Sequence, residues 1–202
     1  FSFAASGILA RQIREGAPFD LFAAADIAFI DEVVAAGVCD EATKAAHARG
    51  RIVLWTRGPS APESLGELTS PRFTRIAIAN PEHAPYGRAA EQALAQAGVL
   101  DELGPRLVYG ENVRQTLQLA ETGNVEVAIV ALALVTTRPE GSHTLVPESF
   151  HRPIEQALVA CRGGSRFEDG KAFAELVLSS EGQAILRQHG FITADELPGS
   201  AP

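Results

Sequence analysis

The stretch Ile76-Ala77-Ile78-Ala79-Asn80-Pro81-Glu82-His83-Ala84-Pro85-Tyr86-Gly87, with the alanine-rich run at 88–97 behind it, decides how this chain is read. An alternating β-branched run ends in Asn-Pro, a short turn follows, and a helix starts just past Pro85. Strand, loop and helix N-terminus make a βα unit. Its last step leaves backbone N–H groups without helical partners and a partial positive charge pointing outward, which suits an anion. The same pattern also serves as an ordinary structural unit of an α/β sheet, so this stretch alone does not establish a function.

The grammar repeats on both sides. A short strand at 107–109 runs into Gly110-Glu111-Asn112-Val113 and a helix with Leu117 and Ala120 on one face, a second such start. The run at 125–134 is apolar enough for a central strand buried on both faces. Upstream, 51–56 reads as a strand and 19–24 as a short buried one. Asp26 caps a helix over 27–36 that Gly37 stops. Residues 2–7 read as the end of a strand entering a turn. There Ser6 either caps a helix through Ile8, Leu9 and Ile13 or turns its hydroxyl and N–H to a ligand. A polar helical piece is expected at 44–49, a short helix at 64–68 and a loop at 138–142. Strands are expected at 145–147 and 157–161, and helices at 167–178 and 181–188 with Gly190 closing the last.

Strands alternating with helices argue for an α/β fold with mainly parallel sheets. The turn-rich segment at 57–62 and the segment at 150–155, with His151 and Pro153, read as two crossings between lobes. Residues 1–56 and 157–202 then form a discontinuous first lobe, and 57–156 the second. Ligands in such folds sit at the carboxyl ends of strands.

Composition narrows the function further. A net charge of −8 over 202 residues makes nucleic acid and acidic membranes poor partners, so an anion would be held by local dipoles against the overall field. No apolar run reaches the length of a membrane span, and none reads as a signal peptide. The sequence holds no Met, so Phe1 is not a translation start. Cys39 and Cys161 leave the spacing argument undecided between a disulfide and two buried thiols, the latter being the simpler expectation. There is no P-loop, GxGxxG, CxxC or Gly-x-Ser-x-Gly motif. His47, His83, His143, His151 and His189 are scattered, with no metal-ligand spacing. His83 lies in the opening loop, where it either touches a ligand or is a surface side chain. Arg88 fits a solvated face, and Glu111 and Asn112 fit helix capping. No nucleophile stands with a base, so no enzyme is expected.

Read together, several segments resemble the periplasmic molybdate-binding proteins of ABC transporters. They are Ala5-Ser6-Gly7 with Ala10-Arg11-Gln12-Ile13, and Glu15 through Phe22 with Ala24-Ala25-Asp26. Leu54-Trp55, the run Ala79 to Gly87, and Glu111-Asn112-Val113 follow, then Ile129-Val130-Ala131-Leu132 and Pro153-Ile154-Glu155-Gln156-Ala157. They keep the family's order over nearly the whole chain. The resemblance implies two α/β lobes, a hinge, and molybdate or tungstate held in the cleft by neutral donors for delivery to a membrane permease. Sulfate would be excluded by size. It implies the Ser6 hydroxyl and the backbone N–H groups of Tyr86 and Val113 as ligands, no other cofactor, and a periplasmic location. In some members a tyrosine hydroxyl occupies the place of Ala131. The family's opening strand and helix have no counterpart before Phe3, so the first lobe is expected to lack them. An oxyanion-sensing regulatory domain and a homologue that no longer binds are the alternative readings.

Overall fold

The computed structural model describes residues 1–138, 140–193 and Glu196. Pro139, within the loop expected at 138–142, lies outside the described residues, as do 194–195 and 197–202 of the expected first lobe. In chain order the elements are α1 (Ser6–Arg14), β1 (Leu21–Ala24), α2 (Ile27–Ala35), β2 (Ala45–Gly50), β3 (Ile52–Thr56), β4 (Ile76–Ala79), α3 (Pro85–Gln96), α4 (Leu100–Leu103), β5 (Leu107–Gly110), α5 (Val113–Glu121), β6 (Val127–Ala131), β7 (Ser142–Leu145), β8 (Ile154–Ala160), α6 (Phe167–Leu178), α7 (Ser180–Gln188) and β9 (Ile192–Thr193). Two compact units result: one of Phe1–Gly50 and Ile154–Pro202, the other of Arg51–Pro153.

The second unit is built on a five-stranded sheet of order β5-β4-β6-β3-β7. β4 runs parallel to β5 and β6, while β3 is antiparallel to β6 and β7. All residues of β4 and β6 are buried, as their uninterrupted apolar runs require of strands covered on both faces. On one face Leu117 and Ala120 of α5 pack with Val53, Trp55, Ala77, Ala128 and Val130. β3 belongs to this sheet, with Ile52 opposite Ala131, whereas the sequence reading placed it in the first lobe.

The first unit departs from the expected parallel arrangement. Its sheet, β1-β8-β2-β9, is antiparallel at every pairing among the described residues. The chain leaves this unit after Gly50 and returns at Ile154, and those two residues are register partners. One strand therefore runs out where its neighbour runs in, and the pair must be antiparallel. The helical piece expected at 44–49 is the strand β2. Alanine favours helix, but the segment's N–H and C=O groups are taken by β8 on one side and β9 on the other, and pairing overrides propensity. Residues 2–5 form no strand.

Cys39 and Cys161 are joined in a disulfide, S–S 2.01 Å, not left as two thiols. They face each other as an isolated antiparallel bridge, flanked by Asp40 N–H to Ala160 C=O and Arg162 N–H to Val38 C=O. The pairing depends on contacts between residues 122 apart, which spacing could not reveal. On the chain-entropy account, closing a loop of that size disfavours the unfolded chain by about 5 kcal/mol.

Candidate functional site

In the second unit the carboxyl ends of two neighbouring parallel strands each open directly into a helix. Ala79 of β4 is register partner to Gly110 of β5, and the Asn80 N–H donates to the Gly110 carbonyl at 2.8 Å. The starts of α3 and α5 therefore both follow the carboxyl ends of paired parallel strands, each presenting the positive end of its helix on that side of the sheet.

The α3 start is built by the Asn-Pro turn. Asn80 Oδ1 accepts from the Glu82 N–H at 2.9 Å, and its carbonyl accepts from His83 and Ala84. Ala84 is the N-cap in extended conformation, and its carbonyl accepts from Gly87 and Arg88. Pro85 takes the first helical position, where its missing N–H costs nothing. Tyr86 follows, buried, in the turn whose N–H groups point out of the helix. Gly87 lets this turn sit on the strand: a Cβ there would lie 2.1 Å from the Ala79 carbonyl oxygen.

The α5 start shows which donor is available for a ligand. Asn112 is the N-cap, and its Oδ1 accepts from the Arg114 and Gln115 N–H groups, both at 3.0 Å. Its carbonyl accepts from Thr116. The Gln115 side chain reaches back to accept from the N–H of Glu111, the residue before the cap. Among the described residues nothing accepts from the N–H of Val113, the first helical residue. Gly110 allows the close approach here as Gly87 does in α3, since a Cβ would meet Thr116 Oγ1 at 2.5 Å.

In the first unit Ser6 is one residue away from its expected role. Ala5 is the N-cap, its carbonyl accepting from Ile8 and Leu9, and Ser6 is the first residue of α1. The Ser6 hydroxyl does not cap the helix. Ser6 is buried, and its Oγ accepts from the Ala25 N–H at 3.1 Å. Ala25 follows β1 directly, and Asp26 caps α2 by accepting from the Ala28 N–H. With one lone pair engaged, the hydroxyl keeps its hydrogen to donate. The N–H groups of Ser6 and Gly7 likewise have no acceptor among the described residues. Gly7 was not singled out from the sequence; its signal would have been that two N–H groups, not one, precede the first helical hydrogen bond.

The remaining candidates fall into supporting places. His83 is exposed at its side chain, with Nε2 3.6 Å from Glu82 Oε2. Ala131, buried at the end of β6, offers no hydroxyl. Asn112 is the cap described above, and Glu111 is exposed. No cluster of His, Cys, Asp or Glu fit to hold a metal ion occurs among the described residues. Each of these helix starts, taken by itself, offers neutral hydrogen-bond donors of the kind suited to an anion.

The profile of the bacterial extracellular solute-binding protein family matches residues 1–192. The molybdate-binding protein ModA of Rhodobacter capsulatus is 33% identical over 193 residues, covering 96% of this chain and 77% of the relative. The protein of that name from Azotobacter vinelandii is 31% identical, with 94% and 77% covered. Among solved structures, the Azotobacter vinelandii periplasmic molybdate-binding protein superposes with a TM-score of 0.89 at 28% identity, over 95% of this chain and 85% of that one. The sulfate-binding protein SubI of Mycobacterium tuberculosis, at a TM-score of 0.77 and 19% identity over 95% and 74%, shares the fold.

Proposed function

We propose that this chain, which belongs to the bacterial extracellular solute-binding protein family, captures molybdate as a tetrahedral dianion and presents it to the permease of an ABC transporter. The observation that carries this reading is the Val113 N–H, the one first-turn donor of α5 left over by its cap, together with relatives named for molybdate. The Ser6 hydroxyl, backed by the Ala25 N–H, and the backbone N–H of Tyr86 complete the donor set we assign. Each donates to an oxygen of the anion, and none brings a full positive charge. Hydrogen bonds to a charged partner contribute about 1.5–3 kcal/mol each, so a few suffice for tight capture.

Tungstate has the same charge and shape, and we expect it to bind as molybdate does. Sulfate is smaller and is disfavoured by size. No helix among the described residues is long and apolar enough to cross a membrane. The relative from Azotobacter vinelandii, described as periplasmic, supports the same location for this protein, where a disulfide also persists.

The test is a thermal-shift titration with molybdate, tungstate, sulfate and phosphate. A ligand at 100 to 1,000 times its Kd adds about 3–4 kcal/mol of stability. A rise with molybdate and tungstate alone is expected. Equal response to sulfate, or no response in a chain that melts cooperatively, would refute the assignment.

A further inference from the structure

The first unit is made of two chain segments, Phe1–Gly50 and Ile154–Pro202, with all of the second unit inserted between them. Nothing in the order of the sequence keeps those segments together. The contacts that do include the pairing of β8 with β1 and β2, the pairing of β9 with β2, the core they share, and the Cys39–Cys161 bond. The bond is the one covalent link between the segments other than the chain running through the second unit.

Its surroundings show what remains without it. Cys39 and Cys161 meet at an isolated bridge, outside any ladder. Two backbone hydrogen bonds flank the bridge, the Cys161 N–H donates to the Asp20 carbonyl and the Ala160 N–H to Thr43 Oγ1, and the ion pair between Arg162 and Asp40, largely exposed at the arginine, lies beside it. Exposed pairs of that kind hold little. Both sulfurs belong to the core cluster that contains Ile30 and Val33 of α2, Val159 of β8, and Ala10 and Ile13 of α1. α1 is the helix that begins at Ser6, and α2 is capped one residue after Ala25.

We propose that Cys39–Cys161 is a redox latch that sets whether the first unit holds its donor geometry. The inference rests on the oxyanion-binding reading for its functional consequence, but not for its structural one. In closing the latch, one thiolate attacks the disulfide of a thiol–disulfide oxidant and forms a mixed disulfide. The second thiolate then displaces the oxidant as a dithiol. Two protons and two electrons leave the cysteines, and one S–S bond replaces another. With exposures of 6% and 0%, the closed bond is shielded, so a reductant reaches it only when the first unit opens. The latch therefore closes in an oxidising compartment and then stays closed. In a reducing one the first unit opens locally while the second, which has no part in the bond, keeps its fold.

The experiment compares the oxidised protein with the double variant Cys39→Ala/Cys161→Ala, and with wild-type chain refolded under a phosphine that keeps both thiols. Hydrogen exchange is read separately at β1, α2 and β8 and at β4 and β6. Without the bond, amides of the first unit should exchange more than about tenfold faster, with those of the second nearly unchanged. Molybdate affinity should fall with it. Equal exchange in both forms, or the same acceleration in both units, overturns the latch. If the Ala variant loses the first unit altogether, the phosphine-refolded chain must show the same selective loss, and a fully protected dithiol form refutes the proposal. If neither form binds molybdate yet exchange still divides between the units, the functional reading fails and the latch stands.

Discussion

The Ala25 N–H donates to Ser6 Oγ at 3.1 Å, joining the start of α1 to the loop that follows β1. The two residues are 19 apart in sequence, and the bond orients the hydroxyl by engaging one of its lone pairs. It also polarises the O–H toward donation, since hydrogen bonds in series strengthen one another. Ser6 is thus both a brace within the first unit and, on our reading, a donor to the anion.

Ser6→Ala separates these roles by magnitude. Loss of a hydrogen bond to a charged partner weakens binding by about 1.5–3 kcal/mol, roughly tenfold to over a hundredfold in Kd. Loss of the brace alone leaves the Ala25 N–H unsatisfied and lowers stability without a selective effect on affinity. Calorimetric titration with molybdate, paired with the melting temperature of the unliganded variant, distinguishes them. Unchanged Kd would remove Ser6 from the donor set.

Val113→Pro deletes one donor, and it also trims a partly buried side chain that packs against the core of the second unit, a change that Val113→Ala shares. Proline is favoured at the first helical position, and the preceding Asn112, at φ −152° and ψ 170°, already has the extended backbone that a following proline demands. The Asn112 cap bonds to Arg114 and Gln115 are untouched. The variant should fold with α5 intact and bind molybdate more than about tenfold more weakly. Val113→Ala, which keeps the N–H, is the control and should stay near wild type. Equal affinity in both variants would exclude the Val113 N–H.

Gly87→Ala tests the seat of α3. The added Cβ would stand 2.1 Å from the Ala79 carbonyl oxygen and 2.7 Å from its carbon, both backbone atoms of β4. The strand is buried and paired on both sides, so the helix start must lift instead. Overpacking of this kind costs about 1–3 kcal/mol. A lower urea midpoint together with weaker molybdate binding is expected, because Tyr86 moves with the turn. A variant as stable as wild type would show that the turn has room to give.

Where the signal was local, the sequence was sufficient. Asn80-Pro81 and Pro85-Tyr86-Gly87 mark a strand end and a helix start within a dozen residues, and Asn112 three before Gln115 marks a cap. The runs at 76–79 and 127–131 are apolar without interruption because both faces are covered. What failed was non-local. Residues 45–50 carry alanines that suit a helix, and only β8 and β9, from the far end of the chain, make them a strand. The partner of Cys39 is 122 residues away. The direction of the first unit's sheet follows from where the chain leaves and returns, which no local pattern encodes. For the site, the helix starts were legible, but the Ser6–Ala25 bond was not: a serine beside a helix start reads as a cap until its neighbours are known.

His47 gives the first unit a built-in sensitivity to acid. It is buried at the irregularity of β2 between Ala46 and Ala48, its carbonyl accepts from Gln183 Nε2, and its buried Nδ1 has no hydrogen-bond partner among the described residues. Burial lowers its pKa from 6.5 to about 4. The unfolded chain therefore takes up a proton at a pH where the folded chain does not. Stability from this group is complete above pH 6.5 and is lost as pH falls toward 4, below which both states are protonated and nothing more is lost. A shift of that size corresponds to about 3 kcal/mol. Carboxylates add their own acid dependence, so the variant isolates the effect. His47→Leu removes the titrating group, and its unfolding free energy in urea should lose about one proton's worth of slope between pH 6.5 and 4. Identical pH profiles for wild type and variant would mean that His47 titrates normally in the folded protein.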